Sequence, residues 1–308
     1  MFPVPESNWM GDFAISVAIG HQIGAARGDR SILSAMDISQ DELFAILGRS
    51  INDLILGHRK DLEKKRKMTR PPSEPKMRWV DGTPEYSLHI YALRRLFPKA
   101  LFIHIVRNAQ DVVRSMLNFH RLAGFRLVEN EEAAYKCWLR MVRACVQAEN
   151  AYGPRVVKRL LYSTLVNDPK SAMHSLLEFV GESYCTKCLE PLGRRINSSN
   201  VPPDFVADDP ATDPAMVEEA TRLYSELEQN PQAAESSPAA TTEMQAAFNE
   251  RVKYVASLNS EYQRALQVIA ALQKEADQRA AGCIDRQSDS KTEQARSTAC
   301  AAREVRGS

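Results

Sequence analysis

The spacing of apolar residues predicts helices over most of the first sixty positions. Residues 12–25 have the composition of a helix, and Ser39 followed by Glu42 has the spacing of a capping box that begins a second helix. In the second helix, apolar residues recur at intervals of three and four positions. They are Leu43, Ile46, Leu47, Ile51, Leu54 and Ile55. We therefore predict an amphipathic helix with one buried face.

Further along the chain, predicted strands alternate with predicted helices. The strands are expected at 77–80, 101–106 and 156–162, and the second of them, LFIHIV, is an almost continuous apolar run typical of a buried parallel strand. Helices are predicted at 86–97, 108–121, 131–151 and 169–180. This alternation predicts an α/β fold in which helices cover both faces of a parallel sheet.

The last eighty residues have a different organisation. Residues 230–243 have the Pro, Ser and Ala content of a linker, and a helical segment is expected at 244–280. Every seventh position is apolar or aromatic at Phe248, Val255, Tyr262, Ile269 and Ala276. The matching d-like positions of the heptad are Leu258, Ala265 and Leu272. This heptad predicts a coiled coil that joins copies of the chain, although Arg251 and Arg279 interrupt it at both ends. The alternative is a helix that folds back onto the domain. The polar, aperiodic residues 281–308 predict a disordered tail.

Charge and composition narrow the choice of function. Lys and Arg number 40 against 39 for Asp and Glu, so no overall field attracts nucleic acid or an anionic membrane. The basic stretch 58–70 lacks aromatic residues for base stacking, which favours a solvated helix end over the alternative of RNA binding. There is no signal peptide and no apolar run of about 20 residues, so we expect a cytoplasmic protein without a membrane span. The Cys185-x-x-Cys188 pair lacks further ligands, and we predict no metal site.

The residues that follow LFIHIV have the chemistry of an anion site. In an open parallel sheet, ligands bind beyond the carboxyl ends of the strands, and Arg107 stands at that end. Asn108 is predicted to cap the next helix, with Asp111 in its first turn. Ser115 lies on the same helical face, about 10 Å along the axis from the cap. A phosphate held by both Arg107 and Ser115 would therefore lie beside the helix, with a forked pair of charge-assisted bonds from the guanidinium.

The Arg-x(7)-Ser spacing, preceded by FPKALFIHIV at 97–106, resembles the 3′-phosphate-binding motif of the sulfotransferase family, particularly bacterial members and relatives that sulfate protein tyrosines or carbohydrates. The resemblance implies that Arg107 and Ser115 bind the 3′-phosphate of the donor 3′-phosphoadenosine-5′-phosphosulfate. YSTLVNDP at 162–169 and INSSNV at 196–201 also resemble family segments, the second implying that Ser198 and Ser199 close over the nucleotide. The alternative is that Arg107 caps a sheet edge and Ser115 faces solvent. Tyr162 is interpreted as a core residue and not as a ligand.

The resemblance implies a P-loop-like domain over residues 1–229, without its first strand and phosphosulfate loop. In the family, a Gly- and Ser-rich strand–loop–helix precedes these segments and holds the 5′-phosphosulfate, but the sequence has no such loop. It also lacks G-x-x-x-x-G-K-[ST], which excludes a standard P-loop kinase. The opening FPVPESNWM resembles the segment after the loop's helix, and Glu6 matches a glutamate that is a candidate base there. Gly82 stands where many relatives have a lysine that stabilises the bridging oxygen of the donor.

The implied reaction is sulfuryl transfer, without a metal, to a hydroxyl or amine of a carbohydrate, a protein tyrosine or a small molecule. Glu6 would accept the proton, His89 is a weaker candidate, and His104 is interpreted as a core histidine. Loss of one preorganised donor costs about 3 kcal/mol, so we expect weak donor binding and little or no catalysis from this chain as written. Either the N-terminus is truncated relative to a working gene product, or the protein has lost its activity and kept the fold. The alternative function is a non-catalytic interaction protein that uses a relic fold and a coiled coil at 244–280.

Overall fold

The computed structural model describes residues 2–65, 78–193, 201–202 and 204–304. The strands are β1 (Phe2–Pro3), β2 (Trp79–Val80), β3 (Phe102–Val106) and β4 (Val157–Leu161). The longer helices are α1 (Trp9–Ala25), α2 (Gln40–Gly57), α3 (Ile90–Leu96), α4 (Ala109–Asn118), α5 (Glu131–Tyr152), α6 (Pro169–Phe179), α7 (Pro214–Gln229) and α8 (Pro238–Glu304). Shorter helical turns span Gly28–Arg30, Ile32–Ala35, Arg59–Lys65, Pro84–Leu88, His120–Ala123, Tyr162–Asn167 and Thr186–Gly193.

The strands form two parallel pairs within the described residues. β1 pairs with β2, and β3 pairs with β4 in a register that runs from Phe102 opposite Val157 to Val106 opposite Leu161. The predicted α/β class is therefore confirmed, as are the strands expected at 101–106 and 156–162. Of the strand expected at 77–80, Trp79 and Val80 are paired, and Met77 lies outside the described residues. The observed sheets are smaller than the single sheet that the alternation predicts.

One face of the β3–β4 pair is only partly covered, so the prediction of helices on both faces was wrong for β3. His104 and Val106 are buried, and Val106 packs with residues of α4 and α5, the helices that connect the two strands. On the other face α6 packs against β4, but Ile103 is exposed and Ile105 is 54% exposed. The connecting helices of a single crossover lie on one face of the sheet, and the described residues supply no helix to cover β3 from the other.

The predicted start of α2 at a Ser39 cap is confirmed, but the buried face of the helix differs from the expected one. The Ser39 hydroxyl accepts a hydrogen bond from the Glu42 N–H at 3.1 Å. Phe44, Gly48 and Ile51 are buried, whereas Ile46 and Leu54 are exposed. The reason lies at Gly48, where a Cβ would stand 1.7 Å from the Leu96 carbonyl oxygen at the end of α3. The two backbones are in contact there, and this contact fixes which side of α2 faces inward.

The core on the covered face joins β3 to α4, α5 and α7. Its fully buried members are Val106, Ala109, Val113, Ala134, Tyr135, Trp138, Leu139, Val142, Ala220 and Leu227. A second cluster joins α3, α5, β4 and the start of α8 through Ile90, Ala148, Ala151, Val157 and Met244. Within the described residues, no helix has both the length and the apolar character required to cross a membrane.

The C-terminal helix begins earlier and ends later than the sequence predicts. It starts at Pro238, inside the expected linker 230–243, because Ser237 accepts a hydrogen bond from the Ala240 N–H and proline is favoured at the first helical position. It continues to Glu304, and residues 281–304 are therefore helical where we expected a disordered tail. Ala, Arg, Lys, Gln and Glu are abundant there, and their helix propensity does not require an apolar face.

Residues 244–280 differ in burial between their first part and the rest. The chain divides into two compact units, Met1–Val252 and Lys253–Ser308. In the first unit, Met244, Phe248 and Val252 are buried, and the Phe248 ring lies 6.4 Å from that of Phe44 and 5.5 Å from that of Tyr91. This part of α8 folds back onto the domain. In the second unit, Leu258, Tyr262, Ile269 and Leu272 are exposed.

Candidate functional site

Arg107 is held at the carboxyl end of β3. The Trp138 indole N–H donates to the Arg107 carbonyl oxygen at 3.2 Å, and the preceding Val106 is fully buried. The Arg107 guanidinium lies 4.8 Å from the ring centroid of Tyr162, which directly follows β4. Residues that follow neighbouring parallel strands therefore meet at one edge of the sheet, the edge at which such sheets bind ligands. Tyr162 is 38% exposed, so its assignment to the core was wrong.

The charge of Arg107 is only partly compensated. Its terminal nitrogen lies 3.3 Å from a carboxylate oxygen of Asp111, and the two side chains are 39% and 46% exposed. Its Nε atom is buried and has no hydrogen-bond partner among the described residues. An exposed ion pair contributes about 0–1 kcal/mol, so a phosphate with two negative charges can displace Asp111 from the guanidinium.

The first turn of α4 is capped from within the chain, as predicted. The Asn108 side-chain oxygen accepts hydrogen bonds from the N–H groups of Gln110 at 2.9 Å and Asp111 at 3.4 Å. These two donors are therefore occupied, and an anion at Arg107 would lie beside the helix and not on its end. Ser115 is half-buried farther along the same helix.

Arg114 is a cation on α4 that the sequence did not single out. It precedes Ser115 on α4 and donates from its guanidinium to the Pro202 carbonyl oxygen at 3.2 Å. Its Nε atom is buried without a hydrogen-bond partner in the described part of the chain. Ser198 and Ser199 lie outside the described residues. Because Pro202 is 88 positions from Arg114, no local spacing could have revealed the contact.

Glu6 lies beside the residue where the resemblance expects a lysine. The segment after β1 runs along Val80 and Thr83, with the Val4 N–H donating to the Val80 carbonyl oxygen at 2.9 Å and the Ser7 N–H donating to the Thr83 hydroxyl oxygen at 2.8 Å. Glu6 is exposed in this segment, and a Cβ on Gly82 would stand 3.2 Å from its carboxylate. The structure thus brings together two positions that the sequence connects only through the resemblance.

The structure does not join every predicted site residue into one group. Among the described residues, no hydrogen bond or ion pair links Glu6 to Arg107. His89 is 2% exposed and packs so closely on Gly11 that a Cβ there would lie 2.7 Å from its ring. Burial, helped by the charge of Arg251, lowers the pKa of His89 to about 4. His89 is therefore a neutral, enclosed imidazole.

His104 belongs to a buried network, which confirms its interpretation as a core histidine. Its Nδ1 atom lies 2.6 Å from Glu149 Oε1, and Arg159 donates to the other carboxylate oxygen at 2.5 Å. Burial by itself would raise the pKa of Glu149, but the hydrogen bonds from His104 and Arg159 outweigh it and the pKa lies below its usual value. Glu149 is 45 residues from His104, so no local spacing could have revealed this network.

No group of three or more His, Cys, Asp or Glu side chains in the described part of the chain is arranged to hold a metal ion. The polar groups at the carboxyl edge of β3 and β4 are instead cationic and aromatic. Arginine together with hydroxyl donors is suited to a phosphate or a sulfate ester.

Comparisons with known proteins give the following findings. A family model described as "Sulfotransferase family" matches residues 37–185. The chain is similar to the solved sulfotransferase domain from the Synechococcus PCC 7002 olefin synthase, with 18% identity and a TM-score of 0.33, over 72% of this chain and 74% of that one. It is also similar to the sulfotransferase domain from the curacin biosynthetic pathway, with 15% identity and a TM-score of 0.34, over 70% of this chain and 76% of that one. Among curated proteins, none matches the chain.

Proposed function

On the premise that residues 37–185 belong to the sulfotransferase family, we propose that this protein binds 3′-phosphoadenosine-5′-phosphosulfate and takes part in sulfuryl transfer. Arg107 and Ser115 are the proposed ligands of the 3′-phosphate. The acceptor is a hydroxyl or an amine of a carbohydrate, a protein tyrosine or a small molecule. The observation that carries the proposal is the half-exposed Arg107 guanidinium at the carboxyl end of β3, with a buried Nε that lacks a partner among the described residues.

The geometry around Arg107 supports phosphate binding in three ways. Tyr162 supports the guanidinium from one side, which limits its freedom before a ligand arrives. Asp111 provides a weak, displaceable counter-charge. Arg114 adds a cation on α4, and it donates to the carbonyl oxygen of Pro202, which follows Ser199 by three positions in the sequence. We propose that Ser198 and Ser199 contact the nucleotide.

Glu6 is the proposed proton acceptor. In the transfer, the acceptor oxygen or nitrogen forms a bond to sulfur, the bond from sulfur to the bridging phosphate oxygen breaks, and the acceptor proton passes to the Glu6 carboxylate. Adenosine 3′,5′-bisphosphate leaves with the bonding electrons. The carboxylate of Glu6 is exposed and therefore accessible to an acceptor.

The charge on the leaving phosphate requires stabilisation that these 308 residues supply only in part. They contain no Gly- and Ser-rich phosphosulfate loop, and Gly82 carries no ammonium group. Each missing donor costs about 3 kcal/mol in the transition state. We therefore propose that this chain binds the donor mainly through its 3′-phosphate and that its own turnover is slow.

Calorimetry with adenosine 3′,5′-bisphosphate tests the binding proposal. Arg107→Ala should weaken binding at least tenfold, because a charge-assisted pair to phosphate contributes about 1.5–3 kcal/mol. Arg155→Ala, which removes an exposed arginine elsewhere, is the matched control and should leave the affinity unchanged. Adenosine 5′-monophosphate lacks the 3′-phosphate, so Arg107→Ala should not weaken its binding. Equal affinities of the two variants for the bisphosphate would reject Arg107 as a ligand.

A gain-of-function variant tests the catalytic proposal. Fusing a family phosphosulfate loop in front of residue 1 and changing Gly82→Lys should raise sulfuryl transfer to a simple phenol. In that background Glu6→Gln should abolish turnover and leave the affinity for adenosine 3′,5′-bisphosphate unchanged. Full turnover in Glu6→Gln would exclude Glu6 as the base.

The exposed heptad of α8 favours a second candidate function, self-association. Beyond Val252, Leu258, Tyr262, Ile269 and Leu272 keep the spacing of a coiled-coil seam and are exposed. We propose that a second copy of the chain covers this face. Sedimentation should show an oligomer for the full chain and a monomer for the chain ended at Val252. Ile269→Glu should dissociate the oligomer, and Gln267→Glu, on the opposite side of the heptad, should not. A monomeric full chain would reject the idea.

A further inference from the structure

A cleft of about 830 Å³ lies between the turn Pro84–Leu88, α5 and the first turns of α8, all within the first compact unit. Much of its wall is apolar and includes Leu88, Leu139, Leu223, Met244 and Phe248. Volumes of this order are typical of sites for small organic molecules, in which apolar walls surround a few polar groups. Neither Arg107 nor Ser115 lines the cleft.

Two polar side chains in the cleft lack partners. Both ring nitrogens of His89 and the hydroxyl oxygen of Ser87 are buried without a hydrogen bond to any described residue. His89 is 2% exposed, so bulk water does not satisfy it. A buried polar group without a partner costs about 1–3 kcal/mol, and such groups are rare in folded proteins. A ligand that bonds to these two residues would remove the cost.

The cleft also contains two positive charges that no neighbouring carboxylate binds directly. Arg140 on α5 and Arg251 on α8 line it, and neither forms a hydrogen bond or an ion pair with a described residue. The other two cations in the wall are paired, Lys136 with Glu132 and Arg143 with Glu219. Burial and, to a smaller extent, the positive charge of Arg140 lower the pKa of Arg251.

We propose that this cleft binds a monocarboxylic acid with an apolar chain, its carboxylate between Arg140 and Arg251 and its chain along Leu88, Leu139 and Phe248. A carboxylate accepts two forked guanidinium pairs and further bonds from the Ser87 hydroxyl and the single N–H of a neutral His89. The nearby Asp12 opposes part of the positive field, which favours one negative charge over two. The apolar chain replaces water on the wall. The site is independent of the proposed donor site.

Titration calorimetry with octanoate on the full chain tests this proposal. Saturable binding is expected, and the double variant Arg140→Gln, Arg251→Gln should weaken it at least tenfold. Arg155→Gln, an exposed arginine outside the cleft, should bind as the natural chain does. Octanol, which has the same chain without the charge, should bind at least tenfold more weakly. Nitrogen NMR of the histidine side chains should show that octanoate shifts the His89 ring signals, and octanol should not produce that shift.

Three results would overturn the proposal. They are no saturable octanoate binding, equal affinity for octanoate and octanol, and equal affinity of the double variant and Arg155→Gln. Arg140 is exposed, so Arg140→Gln alone keeps the test valid if the double variant does not fold; it should still weaken octanoate binding severalfold.

Discussion

The Arg107 guanidinium lies 4.8 Å from the centre of the Tyr162 ring. The two residues follow Val106 and Leu161, which are paired in the register of β3 and β4. A parallel pair of strands therefore delivers a cation and an aromatic ring to the same edge, where the ring supports the guanidinium before any ligand binds. The proposed 3′-phosphate site depends on this arrangement.

Removing the counter-charge of Arg107 should strengthen nucleotide binding. We expect Asp111→Asn to raise the affinity for adenosine 3′,5′-bisphosphate about two- to fivefold, because the phosphate no longer competes with an exposed ion pair of up to about 1 kcal/mol. Calorimetry measures the effect. Glu226→Gln, which removes an equivalent i,i+4 partner of Arg222 on α7, is the control and should have no effect. Weaker binding by Asp111→Asn would contradict the proposed role of Arg107.

Breaking the buried network at Glu149 should strongly destabilise the fold. Glu149→Gln leaves the buried charge of Arg159 without its carboxylate, and the loss of one partner of a buried pair costs about 3–5 kcal/mol. Urea unfolding of the natural chain and of each variant measures the change in the free energy of unfolding. Glu132→Gln, which breaks the exposed pair with Lys136 on the same helix, should cost at most about 1 kcal/mol. Similar losses of stability in both variants would show that the buried network contributes no more to stability than an exposed ion pair does.

The enclosed His89 should make the fold sensitive to mild acid. Its pKa is about 4 in the folded chain, below the ordinary 6.5, so the unfolded chain binds the extra proton first. Its contribution is complete above pH 6.5 and falls by roughly 3 kcal/mol as the pH drops from 6.5 to 4. Asp12, Arg140 and Arg251 are the charged groups that act on the ring.

Urea unfolding of the natural chain and of His89→Asn at several pH values isolates this contribution. The variant should lose less stability between pH 6.5 and 4 than the natural chain does. An unchanged slope in His89→Asn would show that His89 takes up its proton at the same pH in the folded and the unfolded chain.

The back-folded part of α8 should contribute to the stability of the domain. Phe248 is 7% exposed and packs on Phe44 and Tyr91, so Phe248→Ala should cost about 3–5 kcal/mol. Tyr262, on the same helix, is 59% exposed, and Tyr262→Ala should leave the unfolding of the domain within about 0.5 kcal/mol. Thermal unfolding followed by tryptophan fluorescence measures both. No loss in Phe248→Ala would mean that α8 does not dock on the domain.

The contact of α2 with α3 should not tolerate a side chain at Gly48. A Cβ there would stand 1.7 Å from the Leu96 carbonyl oxygen, so Gly48→Ala must separate the helices and should cost about 1–3 kcal/mol. Gly20, in the exposed middle of α1, has no atom within 4 Å of a Cβ, and Gly20→Ala should stabilise by about 0.5–1 kcal/mol. Urea unfolding gives the midpoint of each variant. Equal shifts of the midpoint in Gly48→Ala and Gly20→Ala would exclude the backbone contact of α2 with α3.

The sequence by itself determined the features that depend on near neighbours. The caps at Ser39 and Asn108 and the two strands of the β3–β4 pair follow from propensities and hydrogen bonds that act over a few positions. The same local rules place Arg107 at the end of a strand. The resemblance to a family also depends on residues close together in the chain, chiefly those at 97–115.

Only the tertiary structure decided which distant residues meet. Tyr162 beside Arg107, Glu6 beside Gly82 and Glu149 beside His104 depend on strand register and on the direction in which helices pack. The back-folding of Phe248 likewise depends on a surface built from α2 and α3. Such contacts form only if the free energy gained by burial exceeds the entropic cost of ordering the chain between the two residues. That balance depends on the whole fold, so no local sequence pattern can predict it.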